Sequence, residues 1–166
     1  MYKSAFILII SLLSVINVSS LGATPIESGG FEYQLKPTPD WVIEQTLPVP
    51  TTLQTQGSQY LLSDEQLNVS QGQYKSYSRI AQKVTTEQSL EQASKISMLF
   101  NPEFQTFTLH HVKVKRGDTI IDLTEQSKIE LFQREEHVNN NIYDGKVTVF
   151  IVVPDIRIGD IVEHAA

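Results

Sequence analysis

The amino-acid sequence predicts an all-β protein, an antiparallel β-sandwich of about eight short strands with at most one short helix. Three observations support this prediction. Runs rich in β-branched and aromatic residues recur from residue 59 onward, and turn residues separate them at intervals of roughly 8–12 residues. Residues 85–95 form the best helix candidate. Residues 147–153 are apolar on both faces, which is typical of a strand enclosed in a sandwich.

The composition excludes several classes of protein. The chain has 166 residues, a length that fits one domain. It contains no Cys, which excludes disulfides, thiolate zinc sites and thiol nucleophiles. The formal net charge is −6, whereas nucleic-acid binding needs clustered Lys and Arg. We therefore expect one domain without covalent cross-links and no nucleic-acid partner.

Residues 1–23 have the layout of a secretory signal peptide. Lys3 precedes a mostly apolar stretch over residues 5–18, and Ala23 ends a small-residue segment that suits cleavage. Polar residues interrupt the apolar stretch, which is also shorter than the ~20 residues needed to cross a bilayer. The sequence predicts a periplasmic or secreted protein that contacts a membrane only if this segment stays uncleaved.

Residues 24–57 are predicted to form a proline-rich tether that precedes the β-sandwich domain of residues 58–166. Proline fixes φ and removes main-chain donors, so such a segment is expected to be extended rather than helical. Within it, residues 41–47 place Trp41, Ile43 and Leu47 on one side of an extended chain and predict a short edge strand. Five of the seven prolines lie in this segment: Pro25, Pro37, Pro39, Pro48 and Pro50.

The following segment predicts a β-hairpin and then one helix. Residues 60–69 and 74–84 form the two arms of the hairpin, and Gln71-Gly72 forms its turn. Alternation in the second arm predicts a core face that contains Ile80 and a solvent face that contains Arg79. For residues 85–95, a helix capped by Thr85 or Thr86 and an irregular strand are equally compatible with the sequence.

A change of alternation occurs between residues 107 and 115. The apolar residues are Phe107 and Leu109 before it and Val112 and Val114 after it, so they cannot share one face of a regular strand. We therefore expect a β-bulge at His110-His111. Further strands are predicted at residues 96–100, 119–123, 129–132, 147–153 and 161–164, with turns at Arg116-Gly117-Asp118, Asp144-Gly145 and Ile158-Gly159-Asp160.

The residues that could carry chemistry form no recognisable motif. His110 and His111 are adjacent, and a metal site would need further ligands from His137, His164 or Glu136. The carboxylates Glu135, Glu136, Asp118 and Asp122 have no fixed separation, and a charged surface explains them. Arg116-Gly117-Asp118 matches an adhesion tripeptide but is explained by a turn. We assign no catalytic, cofactor-binding or metal-binding residue and expect no enzyme activity.

Several motifs occur in an order that resembles a known family. They are FNPEFQTFTLH (residues 100–110), VKRGD (114–118), QREE (133–136), YDG (143–145) and PDIRIGDIVE (154–163). Together they resemble the uncharacterised domain of unknown function that precedes the transglutaminase-like core in bacterial exported proteins. The resemblance extends from Ser58 to His164. It implies a β-sandwich without assigned activity, and we expect the core that normally follows to be missing from this chain.

The resemblance also implies that the domain is truncated at its C-terminal end and lacks a final strand. We expect an open sheet edge there, which a protein partner such as a transglutaminase-like core would fill by strand addition. The predicted function is therefore a non-catalytic exported accessory module that contacts a protein or a cell-envelope polymer. Its exposed loops, residues 133–141 and Gly117-Asp118, are the contact candidates. The alternative is a carbohydrate- or metal-binding module that uses Trp41, Tyr143 and the histidines.

Overall fold

A computed structural model describes residues 23–48, 59–70, 72–133 and 145–166 of the chain. Several predictions lie outside these ranges: the signal peptide before residue 23, the candidate ligands Glu136 and His137, Tyr143, and the contact loop after Gln133. Gln71 and Asp144 of two predicted turns also lie outside them. The predicted boundary between residues 57 and 58 stays a prediction.

The described residues are predominantly β-structure, which confirms the all-β class. They contain eleven strands rather than about eight, since residues 26–35 add two strands and residues 107–116 form two strands instead of one. The elements are β1 (Ile26–Ser28), β2 (Phe31–Leu35), β3 (Gln59–Ser70), β4 (Gln73–Lys83), α1 (Glu87–Ala93), β5 (Lys95–Phe100), β6 (Phe107–Leu109), β7 (His111–Arg116), β8 (Thr119–Asp122), β9 (Lys128–Gln133), β10 (Val147–Val152) and β11 (Ile161–Ala165).

The strands form three sheets around one hydrophobic core. An antiparallel five-stranded sheet has the order β3-β4-β11-β7-β8, and an antiparallel three-stranded sheet has the order β5-β10-β9. The third sheet, β1-β2-β6, includes the parallel pair β2 and β6. All three sheets contribute buried side chains to one cluster, for example Val162, Val149 and Leu109. This arrangement is a sandwich-like packing of sheets, and β10 lies at the centre of its sheet as its apolar sequence predicts.

The β3–β4 hairpin is confirmed, but the predicted solvent face of β4 is wrong. Arg79 is only 7% exposed, and Tyr77 and Ala81, which share its face, are also buried. The reason is that residues 36–48, here called the strap, run across this face. The edge strand predicted within the strap is absent, because residues 42–48 carry no strand pairing.

The helix α1 is confirmed, and its N-cap is Thr86. The Thr86 hydroxyl accepts a hydrogen bond from Ser89 N at 3.1 Å, and the Ser89 hydroxyl accepts one from Thr86 N at 2.8 Å. This reciprocal capping satisfies two main-chain donors that a helix start leaves without partners. It favours the helix over the irregular strand that the sequence also allowed.

The change of alternation is accommodated by a change of sheet, not by the predicted bulge. β6 ends at Leu109 in the sheet with β2, and β7 begins at His111 in the five-stranded sheet. His110 between them donates its main-chain N–H to Ala165 O at 2.8 Å. Because the two segments face the core from different sheets, all four apolar residues of the pattern are buried.

The last strand, β11, lies in the middle of the five-stranded sheet. It pairs with β4 on one side and with β7 on the other. Ala166 continues this pairing through two hydrogen bonds with the main chain of Ser78. The open edge predicted beside the last strand is therefore not at β11. Among the described residues, no helix has the length and the apolar composition that crossing a membrane requires.

Candidate functional site: a strap-covered ionic cluster

An ionic cluster of three side chains lies on the face of the five-stranded sheet beneath the strap. Glu163 in the central strand β11 accepts a hydrogen bond from Arg79 of β4 on one side and contacts His111 of β7 on the other. The distances are 2.9 Å from Arg79 Nη2 to Glu163 Oε2 and 2.8 Å from His111 Nε2 to Glu163 Oε1. The side chains of Arg79, Glu163 and His111 are 8%, 14% and 10% exposed, so the cluster is almost enclosed.

The electrostatics of the cluster keep Glu163 ionised. Burial alone would raise the pKa of Glu163, but the hydrogen bonds and charges of His111 and Arg79 outweigh it and lower the pKa to about 2. Because an ionised carboxylate only accepts hydrogen bonds, His111 donates its Nε2–H to it. Burial tends to lower the pKa of Arg79, but its hydrogen bond to Glu163 prevails and raises it. A carboxylate with such a low pKa is a weak general base.

The strap is fastened to this face at several points. Arg79 Nη1 donates a hydrogen bond of 2.8 Å to Gln45 O, so the same guanidinium binds Glu163 and the strap. Trp41 packs edge-on against Tyr77, with ring centroids 6.5 Å apart. These contacts explain why a segment rich in proline is ordered against the sheet, and they give Trp41 a packing role.

His110 is a further attachment point of the strap. Its Nδ1 lies 3.0 Å from Lys36 O, and its ring packs against Tyr77 with centroids 5.6 Å apart. Burial lowers the pKa of His110, which favours the neutral ring. In a neutral ring one nitrogen donates and the other accepts, so the contact with a carbonyl oxygen requires Nδ1 to carry the hydrogen.

The three proposed histidine ligands that lie in the described residues are not brought together. His110 contacts the strap, His111 contacts Glu163, and His164 lies on the opposite face of the sheet, because adjacent residues of β11 alternate between faces. Burial lowers the pKa of His164 to about 4, so its ring is neutral near pH 7. The part of the chain that the structure describes contains no group of three His, Asp or Glu side chains that could hold a metal ion.

Of the predicted acid/base candidates, Asp118 and Asp122 have local roles, whereas Glu135 and Glu136 lie outside the described residues. Asp122 accepts hydrogen bonds from Thr124 N at 2.9 Å and from Thr124 Oγ1 at 2.6 Å, and these hold its pKa below the usual range. This geometry fixes the turn that follows β8. Asp118 lies in the predicted turn between β7 and β8, which is confirmed with Gly117 at φ 59°.

Residues of the PDIRIGDIVE run form a second ionic cluster with Arg116. Arg116 at the end of β7 donates to both carboxylate oxygens of Asp160, from Nε at 3.0 Å and from Nη2 at 2.8 Å. It also binds the side chain and the carbonyl of Asp155, whose φ of 51° lies in the left-handed region. Asp160 additionally accepts a hydrogen bond from Arg157 N at 2.9 Å. The Arg116 of the adhesion-like tripeptide is thus engaged in joining the β7 end to the loop before β11.

Sequence reasoning missed both ionic clusters. For the second cluster, a signal was present. An Arg lies directly before a turn, and a later loop holds two Asp residues, so the sequence supplies the guanidinium and the carboxylates from which a bidentate ion pair can form. For the first cluster the signal was weaker. Arg79, His111 and Glu163 come from three strands whose pairing order, β4-β11-β7, is not readable from their positions in the chain.

Residues 70–166, more than half of the chain, match the family described as "Domain of Unknown Function with solved-structure structure (DUF3857)". The chain belongs to the DUF3857 family. Both ionic clusters of this DUF3857 chain lie within the matched residues. No curated protein has a sequence that matches the chain.

Among solved structures, the DUF3857 chain is similar to a crystal structure from Parabacteroides distasonis ATCC 8503, which is described as a "putative protease". The TM-score is 0.55 at 14% sequence identity, and the similarity covers 65% of this chain. At this identity the similarity shows the fold alone. The DUF3857 chain spans 22% of the Parabacteroides distasonis chain, so the matched fold is one part of a much larger protein.

Proposed function

We propose that this DUF3857 chain is a non-catalytic, exported accessory module that contacts a protein partner, and that a transglutaminase-like core is the partner type. The observation that carries the proposal is the closure of the Arg79–Glu163–His111 cluster. Its carboxylate oxygens each bind a cation or an N–H donor of the protein itself, and the strap covers it. A catalytic group must contact the substrate, whereas the side chains of Arg79, Glu163 and His111 contact each other and the strap.

The small share of the similar structure that this fold occupies supports a role as one domain of a larger protein. In the Parabacteroides distasonis protein, a domain of this fold occupies about a fifth of the chain. A domain in that position works through contacts with the rest of its protein. For the DUF3857 chain, the motif resemblance supports a transglutaminase-like core in that place, and the layout of residues 1–23 supports export to the periplasm or the exterior.

Activity assays test the non-catalytic part of the proposal. The purified chain would be incubated with labelled casein to detect peptide hydrolysis, and with casein and a fluorescent amine to detect transamidation. We expect no turnover of either kind. Turnover by the purified chain would contradict the proposal, and its loss in a Glu163→Gln variant that circular dichroism shows to be folded would assign the activity to this cluster.

Genetic context tests the partner and the localisation. We expect the DNA after codon 166 to encode a transglutaminase-like core, either in frame or as the next gene. A neighbourhood without such a core would refute this partner and leave the non-catalytic role standing. A fusion of residues 1–23 to a reporter enzyme that is active only outside the cytoplasm should become active, whereas a fusion that begins at residue 24 should not.

A further inference from the structure

We propose that the free edge of β5 is a binding site for an extended strand of a protein partner, and that the cleft beside β5 receives the apolar side chains of that strand. This inference rests on the proposed function, because it assigns the contact of the accessory module to a place on the fold.

The main-chain groups of β5 that point away from β10 can be identified from one hydrogen bond. Val153 N donates to Ser94 O at 2.9 Å, so these residues form a hydrogen-bonded pair of the antiparallel ladder. Hydrogen-bonded and non-hydrogen-bonded pairs alternate along such a ladder. The N–H and C=O groups of Lys95, Ser97 and Leu99 therefore point outward, and no group of the described residues binds them.

The opposite edge of the same sheet is closed. At β9, the hydroxyl of Ser28 accepts a hydrogen bond from Leu131 N at 3.2 Å and donates to Ile129 O at 3.4 Å. One edge of this three-stranded sheet is thus capped by a side chain from β1, while no described residue pairs with the β5 edge. A row of open N–H and C=O groups is a template for an added strand.

A cleft of about 580 Å³ lies beside this edge, between β5 and the five-stranded sheet. Its apolar lining is Ile80, Ile96 and Met98, and its polar lining includes Gln82 and His164. The volume falls in the range of about 300–1,000 Å³ that is typical of ligand sites. A strand added to β5 would direct alternate side chains into this cleft, in line with Ile96 and Met98.

The polar groups of the cleft are suited to an uncharged occupant. His164 is 8% exposed, and in the described structure its ring makes no hydrogen bond. Its neutral ring offers one donor and one acceptor to a bound chain. The lining contains no carboxylate, and the Lys95 ammonium is already paired with Glu91 at 2.7 Å. The occupant is therefore a strand in which apolar residues alternate with uncharged polar ones.

The experiment uses the full chain and a heptapeptide library displayed on phage. We expect enriched peptides to alternate apolar residues with uncharged polar ones. The affinity of the best synthetic peptide is then measured by fluorescence polarisation. Methylation of alternate main-chain nitrogens of this peptide should weaken binding by about tenfold or more, because each lost hydrogen bond is uncompensated. A library that yields no such binder would overturn the proposal.

Two pairs of variants locate the contact. Ser97→Pro removes an outward N–H of β5 and should weaken peptide binding by about tenfold. Its control is Ile120→Pro in β8, where the bond from Leu123 N to Val112 O indicates that Ile120 also points outward. Met98→Glu places a carboxylate in the cleft and should weaken binding, whereas Leu99→Glu, on the other face of β5, should not. Circular dichroism checks that each variant is folded.

The outcomes separate this inference from the proposed function. If the peptide binds wild type and Ser97→Pro equally well, the β5 assignment is wrong, while an accessory role survives. If the chain dimerises with increasing concentration and Ser97→Pro abolishes the dimer, a second copy fills the edge and the partner assignment is wrong. Catalytic turnover by the purified chain would instead remove the proposed function, whatever the peptide result.

Discussion

Gln66 and Ile43 bind each other through two hydrogen bonds. Ile43 N donates to Gln66 Oε1 at 2.9 Å, and Gln66 Nε2 donates to Ile43 O at 2.8 Å. Gln66 lies in β3, and Ile43 lies in the strap, so one side chain of the sheet satisfies a donor and an acceptor of a segment that has no strand pairing there. The attachment of the strap can therefore be altered without changing the main-chain ladder of the sheet.

Removing this attachment should loosen the strap and leave the sheet intact. We expect Gln66→Ala to increase hydrogen exchange at the Ile43 amide and to lower the free energy of unfolding by about 1 kcal/mol at most, since the two hydrogen bonds are exposed. The control is Asn68→Ala, two residues further along β3 on the same face. Equal exchange at Ile43 in both variants would show that Gln66 does not hold the strap.

The strap also shows where sequence reasoning ends. The alternation in β4 correctly predicted a strand and its hairpin partner, because main-chain pairing follows local pattern and turn residues. It placed Arg79 toward water because a charged residue on the polar face of a strand is usually solvated. The cover on Arg79 comes from Gln45, 34 residues earlier in the chain, and a contact between such distant segments leaves no local periodic signal.

Breaking the buried ion pair between Arg79 and Glu163 should lower the free energy of unfolding much more than breaking an exposed ion pair. Glu163→Gln leaves the Arg79 guanidinium largely buried without its counter-charge, so we expect the free energy of unfolding to fall by about 3 kcal/mol. The control is Glu130→Gln, which removes an exposed ion pair with Lys128 and should change stability by less than about 0.5 kcal/mol. Urea denaturation measures both variants. Similar costs would show that the cluster contributes little to stability.

The stability of the protein should fall in weak acid because of His164. Its pKa is about 4 in the folded chain and 6.5 in the reference state, so between these values the unfolded chain binds more protons. Stability therefore decreases as pH falls through this window, by a total of about 3 kcal/mol. Glu163, with a pKa lowered from 4.5 to about 2, adds a further loss only below about pH 4.5.

The substitution His164→Gln separates these two windows. Glutamine does not titrate, so between about pH 7 and about pH 4.5 the variant should lose about 2–3 kcal/mol less stability than wild type. The loss that remains in this range includes the contribution of His110, whose pKa is also lowered by burial. Urea denaturation across this range measures the difference. An equally steep loss in the variant would assign the acid sensitivity to another group.

The bidentate contact between Arg116 and Asp160 should not tolerate lysine. Asp160 is only 2% exposed, and a lysine ammonium cannot donate to both of its oxygens as the guanidinium does. We expect Arg116→Lys to lower the melting temperature. The control is Arg157→Lys, because the Arg157 side chain is 62% exposed and its partner Asp155 is 60% exposed. Equal melting temperatures for the two variants would contradict the assigned role.

The two ionic clusters differ in how far they could be predicted from the sequence. The Asp and Arg residues before β11 are close in the chain, and the turn after Arg116 was predicted, so the second cluster was within reach of local reasoning. The change of sheet at His110 was not. The pattern required a defect between Leu109 and His111, but a bulge and a crossing between sheets produce the same alternation. Only the pairing partners, β2 and β11, distinguish them.

The turn between β1 and β2 offers the sharpest test of how the first residues pack on the sandwich. Gly29 and Gly30 have φ of 60° and 81°, values at which any other L-residue is strained. A Cβ at Gly29 would lie 1.9 Å from Leu131 O, whereas a Cβ at Gly30 would meet nothing within 4 Å. Both alanine variants therefore carry a similar backbone strain of about 1–2 kcal/mol, but only Gly29→Ala must also displace the β9 main chain. We expect Gly29→Ala to lose roughly 3–5 kcal/mol in urea denaturation and to expose the β9 amides to exchange. Equal stability of the two variants would mean that the β1–β2 turn does not rest against β9.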